Sequence, residues 1–334
     1  MTAVVDVPAL PDLPRQLDPG LSAGDRVFQG SARSIGLFVL VLTSSIGAFL
    51  GYQSIPTLKR YGLSFFTETQ WLPERDVIGL SAVLAGTVQV ALVALLVGFP
   101  LALLTALYIS EYAPARLKST LVALVDLMAA VPSIIYGLWG FFLLQPHAIH
   151  VARWLHQNLG WLPFFQVGTD PDAASFAQSK YAASAFIAGV CVAMMVIPLA
   201  CAVMRGVFAQ APLGEREAAY ALGATRWGMV RTVVLPFGRG GIIGGTMLAL
   251  GRALGETIAV LLIISPAYDL KWSVLSVGTQ TTSALIAGRF GEATTSQLSA
   301  LLTAGFVLFV LTLAVNTVAA VFVNRSRSGA ATEI

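Results

Sequence analysis

Residues 212–236 read PLGEREAAYALGATRWGMVRTVVLP, and this stretch sits between two long apolar runs. Pro212, Leu213 and Gly214 open it. A helix-forming segment, Glu215–Leu222, follows and ends at Gly223, a residue that takes the left-handed conformation without a Cβ penalty. A second segment, Thr225–Val234, stops at Pro236. The spacing predicts two short helices at an angle, inside a loop of 36 residues (205–240) where a far shorter turn would join two spans. Such a pair either lies on the lipid surface or serves a partner.

Outward from this loop the chain is mostly apolar. Of its 334 residues, 56% are hydrophobic and 11% charged, with a mean hydropathy of +0.78. Soluble domains carry about 25% charged residues. These values describe an integral membrane protein with an all-α, polytopic fold. Six runs are long enough for the roughly 20 residues a span requires: Ser34–Tyr52, Val83–Ile109, Leu121–Leu144, Ala182–Met204, Gly241–Ser265 and Leu298–Val323. Pro100, Pro132 and Pro198 lie inside three of them and predict kinks. Residues 1–33 read as a disordered tail, 34–324 as the membrane domain and 325–334 as a second tail.

An even number of spans puts both ends on one side. Twelve Arg and Lys residues fall on the side of the termini and of loop 205–240, against seven on the other, which predicts that both termini are cytoplasmic. The outward loops, 53–82, 145–181 and 266–297, carry Trp71, Trp154, Trp161 and Trp272, suited to an interfacial belt or a docking surface. Cys191 and Cys201 lie in one apolar run and read as buried small hydrophobes. His147, His150 and His156 lack metal-site spacing, so no metal ligands are expected.

The fifth run carries two charges near its midpoint, in GRALGETIAV (251–260). Four residues apart, Arg252 and Glu256 are expected on one helix face. Each costs about 2.5–3.5 kcal/mol at the bilayer centre, so they must face protein or water. They either neutralise each other or line a solute path. Asp126 is expected to cap a helix or pair with a basic residue. Ser133 and Tyr136 flank Pro132 and offer hydroxyls to a path or to packing. Gly244, Gly245, Gly251 and Gly255 suggest close helix approach.

Glu217-Ala218-Ala219, three residues, Gly223, nine residues, then Val233-Val234-Leu235-Pro236 resembles the EAA loop of ABC-importer permeases. AAVPSIIYGLWG (129–140) and LGRALGETIAV (250–260) look like segments of the phosphate-specific PstC family. The sister PstA family shares the fold and several motifs; the long outward loops and the wording of 129–140 favour PstC. The resemblance implies a type I ABC-importer permease-like fold, in which Glu217, Ala218, Ala219, Gly223, Leu235 and Pro236 couple to an ATPase. It also implies that Arg252 and Glu256 are critical to transport. Its implied partners are a PstA-like permease, a PstB-like ATPase pair that binds ATP and Mg, and a PstS-like external binding protein. No Gly-x-x-x-x-Gly-Lys-Ser/Thr loop occurs, so this chain is not expected to hydrolyse ATP. A permease for another oxyanion and a stand-alone secondary transporter are the alternatives; for the second, no internal repeat is seen. An intramembrane enzyme lacks a catalytic cluster.

Overall fold

The computed structural model describes residues 23–168 and 179–326. The remainder of the expected tails, and part of loop 145–181, lie outside the described residues. Contacts divide the chain into Met1–Phe49 and Leu50–Ile334. Helix α1, Ala23–Tyr61, begins eleven residues before the predicted Ser34, so residues 23–33 are helical where a tail is expected. The polar turn before an apolar run extends the helix at no cost in water, and hydropathy does not register it.

In the second unit, α2 (Ser64–Thr67) leads to a small antiparallel hairpin, β1 (Trp71–Leu72) and β2 (Val77–Ile78), in which Trp71 pairs with Ile78. Trp71 is buried with Phe65, Leu80 and Leu285, which removes it from the expected interfacial belt. Trp154, Trp161 and Trp272 are exposed. The turn of the hairpin is tied back by Asp76, whose carboxylate accepts bonds from the Tyr61 hydroxyl (2.5 Å) and the Arg60 guanidinium (2.7 Å).

Helix α3, Ser81–Leu107, is apolar on every face, as a buried span must be, and widens into a π turn at Tyr108–Tyr112. After α4 (Ala115–Ala130) the chain breaks at Val131–Pro132. It resumes as α5 (Ser133–Trp139), a π turn (Gly140–Leu144) and α6 (Gln145–Leu159). The run predicted at Leu121–Leu144 is therefore not one span: the helix long enough to cross is Ser133–Leu159. The break has a local cause, because proline bars its predecessor from the α region, and Val131 is extended at ψ 128°. Helices continue uninterrupted through Pro100 in α3 and Pro198 in α7 (Ala185–Phe208).

The predicted loop helices appear as α8 (Leu213–Ala221) and α9 (Arg226–Met229), the latter capped by the Thr225 hydroxyl on the Gly228 amide (3.1 Å). Gly223 is left-handed, φ +83°. Contrary to expectation the second helix does not stop at Pro236. A π turn (Val230–Val234) carries it into α10 (Leu235–Phe237), where proline occupies the first turn and sacrifices no bond. The stop falls at Gly238, and α11 (Arg239–Gly255) leaves at 68°. Then come α12 (Ile258–Ile263), α13 (Thr282–Arg289) and α14 (Thr295–Ser326).

Among the described residues five helices are long and apolar enough to cross a membrane, and six if the bent pair ending in α11 counts as one. The core lies where α3, α7 and α11 meet, with Val90, Ala94, Ala188, Ala193, Val196 and Ala249 buried. Small residues dominate because lipid supplies no hydrophobic drive, so helix contact depends on close packing. Gly245 lies against the Ala200 carbonyl and Gly251 against Asn316, where an added Cβ would sit 3.0 and 3.2 Å away. Gly244 is in ordinary contact, and Gly255 has nothing within 4 Å, so its expected packing role is absent. Both cysteines are buried and free.

Candidate functional site

The fifth span is discontinuous. α11 ends at Gly255, Glu256 is extended (φ −65°, ψ 126°), and α12 starts two residues later. This corrects the expectation that Arg252 and Glu256 share a helix face, and no ion pair joins them. Each suits its own half-helix instead. Arg252 occupies the last turn of α11, at the negative end of that dipole. Glu256 Oε1 accepts the Ala259 amide (3.4 Å) and so caps α12, at the positive end of the next.

Two backbone carbonyls at the break are answered by side-chain hydroxyls, as membrane depth requires of freed groups. The Gly255 carbonyl accepts the Thr257 hydroxyl (3.1 Å), and the Glu256 carbonyl accepts the Ser283 hydroxyl of α13 (2.7 Å). A discontinuity closed this way from two elements is a built feature of the fold.

The Val131–Pro132 break lies alongside. Tyr136, one turn into α5, donates its hydroxyl to the Met128 carbonyl (2.9 Å), satisfying a group the break released. That proton is committed to the fold, and the Tyr136 side chain is buried. Ser133 is half-buried, and its hydroxyl makes no hydrogen bond among the described residues. α5 packs directly on α12: a Cβ on Gly137 would come within 2.8 Å of Leu262 and 2.9 Å of the Ala259 Cα. Cys191 of α7 donates its thiol to the Tyr136 carbonyl (3.2 Å). Arg252 is close enough for its charge to act on Tyr136, and Glu256 for its charge to act on Cys191. The four residues singled out for a path thus gather around two adjoining helix breaks.

Arg252 is exposed and makes no hydrogen bond or ion pair among the described residues. On the preceding residue, Gly251, rests the amide of Asn316 of α14, also exposed and without a hydrogen bond among the described residues. Sequence reasoning passed over Asn316, although a lone amide in the apolar run 298–323 was a visible signal. Asp126 pairs with Arg205 (3.5 Å) and is half-exposed, the pairing role expected for it.

At the end of the molecule formed by loop 205–240, Glu217 and Ala218 are exposed while Ala219 packs inward against the core. Leu235 is half-buried and Pro236 exposed. Leu213, Tyr220, Leu222 and Trp227 stand out around them, with Leu222 89% exposed. Apolar side chains clustered beside acidic and basic ones mark a contact surface.

A chain that crosses a membrane repeatedly, leaves a cation unneutralised at a helix break and turns a two-helix loop outward is built to pass a solute while another subunit acts on it. That is the class of transport permeases. The chain belongs to the family of binding-protein-dependent transport system inner membrane components, whose profile matches residues 98–328. It is 40% identical over 302 residues to the phosphate transport system permease protein PstC 2 of Mycobacterium tuberculosis, covering 89% of this chain and 90% of that one. It is 39% identical over 289 residues to the PstC of Xylella fastidiosa, covering 86% and 87%. A probable PstC of Methanocaldococcus jannaschii is 36% identical over 298 residues, covering 87% and 89%. In fold it is similar to a chain of the MetNI methionine ABC transporter, at 16% identity and a TM-score of 0.50, over 72% of this chain and 93% of that one. The chain is an ABC-importer transport subunit, and its relatives are named as permeases rather than enzymes.

Proposed function

We propose that this chain is the PstC-like half of an ATP-driven importer of inorganic phosphate. The observation that carries the reading is Arg252, a guanidinium exposed at a helix break with no hydrogen-bond or ion-pair partner among the described residues. Left against lipid it costs about 2.5–3.5 kcal/mol, so a second permease subunit and an anion path cover it. Guanidinium presents a planar fork that matches two phosphate oxygens. Glu256 spends one carboxylate oxygen on the Ala259 amide, which leaves the other to accept a bond from a P–OH group. Phosphate near neutral pH keeps such a proton and sulfate does not, so the pair favours phosphate. The start of α5 adds the positive end of a helix dipole to the same locality.

In this reading a PstA-like subunit supplies the other wall. A PstB-like ATPase pair binds ATP and Mg and receives α8 through Glu217, Ala218 and Ala219. A PstS-like protein delivers phosphate to the outward loops. The arginine and lysine balance supports cytoplasmic termini in a bacterial plasma membrane.

The test is uptake of labelled phosphate by vesicles holding the co-purified complex, normalised to assembled complex. Replacing Arg252 and Glu256 together by apolar residues abolishes uptake while ATP binding persists. Uptake at the native level overturns the path, because a path lined by these two charges cannot lose both and still carry phosphate. Sulfate competing as well as phosphate transfers the reading to another oxyanion.

A further inference from the structure

Arg216 stands next to Glu217 on α8 but points the other way, into the protein. Its guanidinium donates to Glu111 Oε2 (3.0 Å) and to the Phe208 carbonyl at the end of α7 (2.6 Å). The Glu111 side chain is 4% exposed, and its other oxygen accepts the Ser110 hydroxyl (2.7 Å). One residue further on, the Tyr112 ring lies under the Arg226 guanidinium of α9, 5.3 Å from the ring centre. Both loop helices are thereby fastened to the π turn that ends α3, and Arg216 fastens α8 to α7 as well.

The covalent route from α8 to the helix breaks runs through two soft points, the left-handed Gly223 and the bend at Gly238. A displacement of α8 is absorbed there. The Arg216 route bypasses both and ends on α3 and α7, two of the helices packed against α11, whose last turn carries Arg252. Arg216 Nε is left buried without a hydrogen bond, a cost that a pair selected only for stability would shed.

The geometry points to Glu111 and Arg216 as the positioning pair that transmits movement of the partner-facing loop to the broken-helix site. This rests on the reading that α8 docks on an ATPase. Among the pair's neighbours, Lys118 donates to the Ser110 carbonyl (3.3 Å) and leaves Glu111 to Arg216.

The experiment uses the whole complex with Asn316→Cys as a reporter against Gly251, the residue before Arg252, since Cys191 and Cys201 are buried. The rate of modification by a water-soluble thiol reagent is measured with and without ATP. With the native pair, ATP changes that rate. Adding Glu111→Gln shrinks the ATP-dependent change by about fivefold or more, the lower range of site-to-site coupling, while ATP hydrolysis continues. Arg216→Lys keeps the charge but loses the fork, and gives an intermediate response. It supplies the reading if the Glu111 variant does not assemble. An undiminished ATP response in either assembled variant overturns the proposal, and so does a parallel fall in hydrolysis and response, which marks simple fold support. Absence of any ATP response with the native pair overturns the ATP-driven reading itself.

Discussion

Two of the arginine–glutamate combinations in this chain are built in opposite ways. Glu111 and Arg216 are 105 residues apart in sequence, yet they form a contact of 3.0 Å with the carboxylate enclosed. Arg252 and Glu256 are four residues apart and do not pair, because the helix that would align them ends between them. The first combination is closed by the chain's own atoms and ties elements together. The second is left open: Glu256 is half-occupied as a helix cap, and Arg252 meets no hydrogen-bond or ion-pair partner among the described residues. The closed combination holds structure, whereas the open one is where the proposed reading places a solute.

The sharpest way to break this contrast is Arg252→Ala. Hydrogen bonds to charged groups are worth about 1.5–3 kcal/mol, so phosphate uptake falls roughly 10- to 100-fold. Thermal unfolding of the complex stays unchanged, since Arg252 makes no hydrogen bond or ion pair among the described residues. A shifted melting point with uptake retained would make Arg252 structural and erase the distinction.

Glu217→Lys probes the opposite end. Reversing one exposed charge at an interface by about 1–2 kcal/mol lowers phosphate-stimulated ATP hydrolysis roughly 5- to 30-fold, with membrane insertion intact. Unaltered stimulation and complex yield would remove α8 from the ATPase contact.

Gly137→Ala tests whether the two breaks depend on close packing of α5 on α12. The new methyl meets Leu262 and the Ala259 backbone, and overpacking of this kind costs about 1–3 kcal/mol. Thermal unfolding in detergent reads the loss directly. Uptake declines less than in Arg252→Ala, and an equal decline would mean that packing alone accounts for the site.

The smallest effect belongs to Asp76, an exposed ion pair on the outward hairpin. The Tyr61 hydroxyl, then the Arg60 guanidinium, hold its carboxyl below the ordinary value of 3.8. A depressed carboxyl contributes its full stabilisation above that ordinary value and loses it as pH falls through the lower folded one. Limited proteolysis of residues 68–80 is therefore flat with pH near neutrality and quickens only in strong acid. Asp76→Asn abolishes that acid step without changing uptake.

Local signals in the sequence carried over well into the loop. Gly223 is the turn, Thr225 begins the second helix, and Glu217-Ala218 faces outward. Proline was harder to read, because one residue type acts in three ways. Pro132 breaks a span, Pro100 and Pro198 are carried within helices, and Pro236 sits harmlessly in a first turn. Hydropathy alone does not separate these cases, since all but Pro236 lie in equally apolar runs. Trp71 was misplaced for a related reason: an aromatic in an outward loop looks interfacial until a two-residue hairpin folds it against Phe65 and Leu80. The site was legible as a set of residues and not as a geometry. Arg252, Glu256, Ser133 and Tyr136 were visible, but Asn316 was overlooked and Tyr136 turned out to serve the break itself.

By itself the sequence determined the class of solvent, the approximate number of spans and the shape of the partner-facing loop. Those follow from transfer free energies and local backbone preferences, which act over a few residues at a time. Only the tertiary structure decided which charges are answered. Whether Glu111 meets Arg216, whether Ser283 closes the Glu256 carbonyl and whether two breaks lie side by side depend on helices distant in the chain meeting at close range. A buried polar group takes whichever partner the packing presents, and the packing is set by the whole set of helices at once.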